Sequence, residues 1–372
     1  MLLPGRLGNS QSSLATDPRT HRGLLKGLEA YEMQYNTFLT ANITPDASLA
    51  EIIAFAHESE KALESMIHGM DFGVLHPSQQ SPITVTQVFI PGVNENQIQL
   101  SIYRPAHENS QEELPAVLYF HGGGMVMLST QNRLHTSYAE AIARTGLVAI
   151  LVDFSNVLSN GNPEASSHTN LNPFPTGLDD CVSAARWINK HKQDLRISKI
   201  VLHGDSGGAN LALATALRLN ISENTKATID GVFAVDPYIS GAYDQSREWK
   251  LKNLLQSLVE CDGYDVSCSS CSIYARLYDH QGKFRNDRFA WPYWAMESDL
   301  CGLPPHVIMV AELDPLRDEG IEYCRKLVRA GVRSVGRVRL GMTHTGDLLL
   351  RQYVPDEFLE LLDMLRGFVD RL

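Results

Sequence analysis

The segment Lys199-Ile-Val-Leu-His-Gly204-Asp205-Ser206-Gly207-Gly208-Ala-Asn-Leu-Ala ends an apolar run on a glycine, carries one serine and then opens a helical pattern. Small residues on both sides of Ser206 permit a sharp strand-to-helix turn that lifts the hydroxyl above a sheet edge. Peptide dipoles at the start of the helix favour the negative charge that develops when such a hydroxyl attacks a carbonyl. The rival reading is a glycine-rich helix start with a solvated serine. A second cluster, His121-Gly122-Gly123-Gly124-Met125, directly follows the apolar run Ala116 to Phe120. Attack on an ester carbonyl concentrates charge on one oxygen, and backbone N–H groups already aimed at it lower the barrier. Glycines let the backbone approach closely and take the turn geometry this needs, with a further N–H expected from Gly207, the residue after the serine. A phosphate-binding loop is the alternative, but the chain has no G-x-x-x-x-G-K-[ST], and no G-x-G-x-x-G with a suitable acidic residue downstream. His121 reads as a structural hydrogen-bonding residue rather than a base.

A serine of this kind needs a base and an acid, which follow it in chain order at the carboxyl ends of late strands. Asp314 lies just past the run Val307 to Val310, and Pro315 can begin the next turn. Asp318 is its main rival. Asp318 and Glu319 fall in a first helical turn, where carboxylates suit the helix dipole without catalysis, and Glu312 is still at the strand end. Among thirteen histidines, His344 follows the run Val335 to Leu340 in a Gly-Met-Thr-His loop, whereas His306 begins a strand and His280 is remote. The expected triad is therefore Ser206, His344 and Asp314.

Those loops require a sheet. Ile83 to Ile90 and Gln97 to Tyr103 alternate apolar and polar residues around Pro91-Gly92, which predicts an antiparallel pair. Short apolar runs then follow at 116–120, 147–152, 199–202, 231–235, 307–310 and 335–340, separated by helical patterns at 178–190, 207–219, 317–330 and 357–372. Apolar strands alternating with amphipathic helices predict βαβ units and a mainly parallel sheet covered on both faces. Residues 1–80 show helical periodicity and no strand pattern, and Tyr238 to Trp294 is rich in aromatics and charge. The expected organisation is an N-terminal helical cap segment over 1–80 and a catalytic domain over 81–372, with a cap insertion around 240–294. Ser155 to Asn172 reads as a long polar surface loop. Met125 and Met127, with Trp291, Tyr293 and Trp294, are weighed as pocket residues against the more common fate of such side chains in a core.

The combination of HGGGM, GDSGG, the Glu312-Leu-Asp-Pro-Leu-Arg-Asp-Glu-Gly320 segment and a late histidine resembles the hormone-sensitive-lipase-like group of α/β-hydrolase esterases. Further likeness lies in Asn132-Arg133 with His135, Asp230-Gly-Val, Pro237-Tyr-Ile-Ser-Gly241, Ala290-Trp-Pro-Tyr293 and Gly302-Leu-Pro-Pro305. The resemblance implies a mostly parallel eight-stranded sheet with helices on both faces and a helical cap. It also implies a carboxylesterase with Ser206, Asp314 and His344 as triad, and the N–H groups of Gly123, Gly124 and Gly207 as oxyanion hole. It favours a small acyl ester or lactone as substrate and needs no metal or organic cofactor. Two departures stand out: Val152-Asp153 leads to Phe154-Ser155-Asn156 where Tyr-Arg is common, and Gly207 replaces a common alanine, where only backbone is expected to matter. An amidase or deacetylase on the same fold, or a non-catalytic small-molecule receptor, are the alternatives.

Composition closes off other classes. A chain of 372 residues with 44% hydrophobic residues can bury a full core, which excludes a disordered tail or a disulfide-stapled scaffold. A balance of 32 basic against 43 acidic residues, net −11, speaks against nucleic acid or an anionic membrane surface. No run approaches a membrane span, Met1 to Leu3 is too short for a signal-peptide core, and six sparse cysteines fit a reducing cytoplasm. Cys268 and Cys271 form a CxxC without a second ligand pair and read as the serine-rich start of a helix. The expected partner is a small ester; a homodimer stays open.

Overall fold

Successive residues of a strand face opposite sides of a sheet, so strands that are apolar throughout must be covered on both. The computed structural model describes residues 3–34, 41–73, 82–93, 95–106, 112–158, 171–223 and 228–372. Its strands are β1 (Ile83–Pro91), β2 (Gln97–Pro105), β3 (Leu114–Phe120), β4 (Val148–Asp153), β5 (Ile197–Asp205), β6 (Gly231–Val235), β7 (His306–Ala311) and β8 (Ser334–Arg339). They form one eight-stranded sheet in the order β1-β2-β4-β3-β5-β6-β7-β8. β1 pairs antiparallel with β2, and β2 with β4, while the remaining pairs are parallel. In β3, Ala116, Leu118 and Phe120 enter the core on one face, and Val117 and Tyr119 on the other.

Helices α1 (Gly5–Gly8), α2 (Arg22–Ala30) and α3 (Leu49–Gly69) precede the sheet. Ser48 caps α3, its side chain accepting from Glu51 N–H while the Glu51 carboxylate accepts from Ser48 N–H. Next come α4 (Arg133–Arg144), α5 (Thr176–Lys190) and α6 (Gly207–Glu223). Between β6 and β7 lie α7 (Arg247–Lys252), α8 (Ser257–Glu260), α9 (Cys268–Tyr278) and α10 (Glu297–Leu300); α11 (Arg317–Arg329), α12 (Gly346–Leu349) and α13 (Pro355–Asp370) complete the chain. α4 and α13 cover one face with Tyr138, Ile142, Phe358 and Leu361. α5, α6 and α11 cover the other with Leu178, Leu211, Tyr323 and Leu327. A third cluster packs Leu24, Leu28, Met33 and Ile67 against Leu313 and Met342, which flank the candidate acid and base.

The expected strands, the antiparallel pair and the mainly parallel sheet are present, with four differences. α4 was not marked by its pattern, because the buried face carries His135, Tyr138 and alanines rather than a regular apolar stripe. α6 is not amphipathic: it is buried from Gly207 to Leu217 because it lies between the sheet and α5. The 335–340 run is an exposed edge strand, and Leu340 lies just past it at 71% exposure. The Ser155–Asn172 stretch does not begin as a surface loop. Asn156, Val157 and Leu158 are buried, with Val157 N–H on Met125 O and Leu158 N–H on Val126 O, both 3.0 Å. Residues 159–170 of that stretch, and 1–2, 35–40 and 74–80 of the N-terminal segment, lie outside the described residues.

Candidate active site

β5 ends at Asp205 and α6 starts at Gly207, leaving Ser206 alone in the turn with φ +54°. A left-handed non-glycine residue costs roughly 1–2 kcal/mol, and the surroundings hold it there. Ser206 N–H donates to Val235 O at 2.9 Å, and Ser206 O accepts from Asn210 N–H at 3.1 Å and Tyr238 N–H at 3.2 Å. The flanking glycines are sterically required. A Cβ on Gly204 would lie 2.3 Å from the Gly208 carbonyl carbon, and one on Gly208 would lie 1.9 Å from Phe120 O.

That second approach brings the β3 turn against the serine. Gly123 and Gly124 have φ +111° and +63°, and Met125 follows at +61°. Gly123 O accepts from Val126 and Met127 N–H at 3.0 and 3.2 Å, whereas the N–H groups of Gly123 and Gly124 donate to no other described residue. A Cβ on Gly207 would come within 2.6 Å of Met125 N and 2.8 Å of Gly124 N, so residue 207 sets how closely the two turns approach. Its identity therefore reaches the geometry, contrary to the expectation that only its backbone matters. Beneath lies Asp205, whose buried carboxyl is pushed up to about 6 by desolvation against the opposing hydrogen bond donated by Tyr119 at 2.5 Å. The His121 ring stacks on Phe154 and His135 at centroid distances of 4.5 and 4.9 Å, and burial lowers it to about 4.

At the C-terminal end of β7, Asp314 is fully buried. Its Oδ1 accepts from Leu316 N–H and its Oδ2 contacts His344 Nδ1, both at 2.8 Å. Burial alone would lower the His344 imidazole, but the Asp314 charge and hydrogen bond, with the charges of Asp236 and Asp265, hold it at about 9. Thr345, at φ +49°, donates its N–H to Asp236 Oδ2 at 2.8 Å. Asp236 also accepts from Ala311 N–H at 2.7 Å and pairs with Arg339, which pairs in turn with the buried Asp347. The rivals lie elsewhere. Asp318 accepts from Ser257 N–H and pairs with Arg317, and Glu319 accepts from Ile239 N–H and Tyr243 O–H. Glu312 accepts from Gly341 N–H, and His306 holds Pro304 O at the opposite end of β7.

Ser206, His344 and Gly122 to Gly124 share one cavity of about 160 Å³. Asp314 stands behind the imidazole. The walls are mostly apolar, with Met33, Leu63, Met66 and Ile67 from the N-terminal segment facing Val266 and Tyr274 from the β6–β7 insertion. α3 packs on α9 through Phe55 and Tyr274, 6.2 Å between ring centroids. Met127 lines the cavity as weighed from sequence, but Met125, Trp291, Tyr293 and Trp294 do not. Trp291 is core, edge-on to Tyr238 and Tyr278. Cys268 and Cys271 start α9 behind the Ser267 cap, both thiols raised by burial. Sequence reasoning missed Asp236, Arg339 and Asp265, and no local motif marks them.

Asp236, Asp314 and His344 bring ligand atoms within 4.8 Å of one another. The donor set does not suit a cation. Both oxygens of each carboxylate already accept from N–H donors or His344, and the Arg339 guanidinium occupies the place of a positive ion. Among the described residues no helix is long and apolar enough to cross a membrane.

Comparison with known proteins agrees with this architecture. The alpha/beta hydrolase fold family matches residues 117–346. Esterase LipI of Mycobacterium tuberculosis H37Rv is 32% identical over 234 residues, an alignment spanning 62% of this chain and 65% of LipI, just under two thirds of that protein. The solved structure of esterase Est22 is 28% identical with a TM-score of 0.79, covering 96% of this chain and 99% of Est22. Brefeldin A esterase, described as a bacterial homologue of human hormone sensitive lipase, is 36% identical with a TM-score of 0.92, covering 99% of this chain and 98% of its own. Matched over residues 117–346 and followed along almost its whole length by that esterase, the chain belongs to the α/β-hydrolase fold family, among its hormone-sensitive-lipase-like carboxylic ester hydrolases.

Proposed function

We propose that the protein is a serine carboxylesterase acting through Ser206, His344 and Asp314. The observation that carries this reading is the shared cavity of the strained serine, the histidine and the Gly122–Gly124 turn, with Asp314 Oδ2 held 2.8 Å from the far side of the imidazole. Ser206 Oγ bonds to the ester carbonyl carbon while its proton passes to His344 Nε2. The carbonyl oxygen becomes an oxyanion facing the N–H groups of Gly123, Gly124 and Gly207. Collapse breaks the bond to the alcohol oxygen, which takes the proton from His344. Water then enters and its oxygen bonds to the acyl carbon as it gives a proton to His344; the carbon–Oγ bond breaks, Ser206 Oγ takes that proton back from His344, and the acid is released.

The small, mostly apolar cavity supports a short acyl ester or a lactone over a long acyl chain. Residues 1–80 and the insertion around 240–294 act as the cap, since both supply its walls. The six free thiols fit a reducing compartment such as the cytoplasm.

The test is hydrolysis of p-nitrophenyl esters from acetate to palmitate by wild type and Ser206→Ala, beside macrocyclic lactones and matched amides. The expected result is a loss of three or more orders of magnitude in the variant, ester over amide, and a decline with chain length. Near-wild-type turnover by Ser206→Ala, or failure of an organophosphate to label Ser206, sinks the reading.

A further inference from the structure

The insertion between β6 and β7 places one carboxylate in the catalytic cavity that the proposed reaction does not use. Asp265 sits in a tight turn at φ +70°, between Tyr264 and Val266, which bridge each other. The turn is fixed on both sides: the Tyr264 hydroxyl donates to Asp17 Oδ2 at 3.1 Å and meets Ser12 Oγ at 2.8 Å, and Ser267 caps α9. Asp265 lines the cavity with Ser206 and His344. Among the described residues it has no arginine or lysine partner; its charged neighbours are His344, Asp314 and Asp236. Burial pushes its carboxyl up to about 6, opposed by His344 and by the Thr343 hydroxyl, which is buried and otherwise unpartnered. Beside the apolar Met33, Leu63, Met66 and Leu316, this carboxylate is the polar acceptor that the insertion offers to a bound molecule.

Building on the esterase reading, we propose that Asp265 is a specificity-determining residue that accepts a hydrogen bond from a hydroxyl group of the substrate, selecting hydroxylated esters over plain alkyl esters. A hydroxyl brings one donor for Asp265. An ammonium would bring three donors to walls that are otherwise largely apolar. Discrimination follows because a plain ester covers Asp265 without bringing it a donor, the situation in which hydrogen-bonding sites reject analogues most strongly.

The experiment compares kcat/KM within matched pairs: p-nitrophenyl butanoate against its 3-hydroxy and 3-amino counterparts, and ethyl against 2-hydroxyethyl butanoate. Wild type is expected to favour the hydroxylated member of one pair at least tenfold. Asp265→Gly, which suits the left-handed backbone, should reduce that ratio at least tenfold, and Asp265→Asn, which keeps an acceptor, should reduce it less. A wild-type ratio near one, or preference for the amino ester, overturns the proposal. So does an equal fall on both members of a pair, which would make Asp265 a positioning residue acting through Thr343 and His344. If instead no plain ester is turned over and an organophosphate leaves Ser206 unlabelled, it is the esterase reading that fails.

Discussion

Replacing Asp314 by asparagine alters one heavy atom and, in this site, decides which nitrogen of His344 carries the proton. The Asp314 Oδ1 contact with Leu316 N–H and the Oδ2 contact with His344 Nδ1 are both 2.8 Å and both buried. In Asp314→Asn the amide oxygen must stay on the Leu316 N–H, since turning the NH2 group there would leave a buried backbone donor facing another donor, at ~1–3 kcal/mol. The NH2 group then faces Nδ1, which must offer its lone pair, so the proton moves to Nε2. A histidine protonated on Nε2 cannot take the Ser206 proton, and the cation formed during attack has also lost its counter-charge. Loss of the correct tautomer in such a triad costs about 10⁴ in kcat, or ~5.4 kcal/mol at 1.36 kcal/mol per factor of ten. The assay is p-nitrophenyl acetate hydrolysis with thermal melts of each variant, beside Asp318→Asn as control. Asp318 serves Ser257 N–H and Arg317 instead, so its variant should lose stability but less than tenfold in kcat. If Asp314→Asn stays within tenfold of wild type, the tautomer reasoning and the assignment of Asp314 are both wrong.

Three further outcomes follow from the same geometry. In the proposed reaction His344 must be neutral to act as base, and it is held at about 9, so kcat/KM for a plain ester should fall as pH drops below that value. Asp265→Gly, which removes one of the carboxylates that raise the ring, should move the midpoint down; a wild-type midpoint at or below ~6.5 refutes the account. Gly208→Ala drives a Cβ to 1.9 Å from Phe120 O and should cost about 3 kcal/mol or more by urea denaturation. Gly69→Ala, which meets nothing within 4 Å, should not destabilise. Arg339→Met strands the buried Asp236 and Asp347, for a loss of ~3–5 kcal/mol, smaller at pH 5 than at pH 8 because unpaired carboxylates regain stability by taking up protons. A loss under ~1 kcal/mol would show the pair carries little.

What was legible from sequence is what local sterics enforce. Gly204, Gly208 and Gly123 are glycine because a Cβ would strike backbone within 2.3 Å, and those collisions involve the motif's own neighbours or the paired turn. Asp314 and His344 were readable because each follows an apolar run that had to be a strand. α4 was opaque because its buried polar side chains make tertiary hydrogen bonds: His135 Nδ1 contacts Ser129 O and Tyr138 O–H contacts His203 Nε2, both at 2.8 Å. β8 misled because Val335 and Val338, although apolar, face solvent at 38% and 44% exposure while Arg339 turns inward. Trp291 took the more common of the two fates weighed for it, as a core ring set against Gly241 rather than a pocket wall. Asp236 and Arg339 lie 103 residues apart, and nothing in either local sequence announces the other.

The same long-range logic explains how a segment outside the sheet can shape the site. Arg19 pairs with Asp17 at 2.7 Å and with Glu260 at 2.5 Å, and Arg317 meets Glu260 at 2.9 Å and donates to Glu312 O at 2.7 Å. Arg317 stands three residues after Asp314, and Asp17 accepts from Tyr264, the neighbour of Asp265. One largely buried charged cluster therefore fixes the N-terminal segment, the insertion and the acid loop to each other, and burial makes its geometry stricter than that of a surface ion pair. Met33 and Ile67 pack in the same cluster as Leu313 and Met342 and also line the cavity. The cavity wall is thus indexed to the loops that carry Asp314 and His344, although no catalytic candidate lies before residue 121. That coupling ties Met33 and Ile67 to the cavity rather than leaving them an appendage to the sheet.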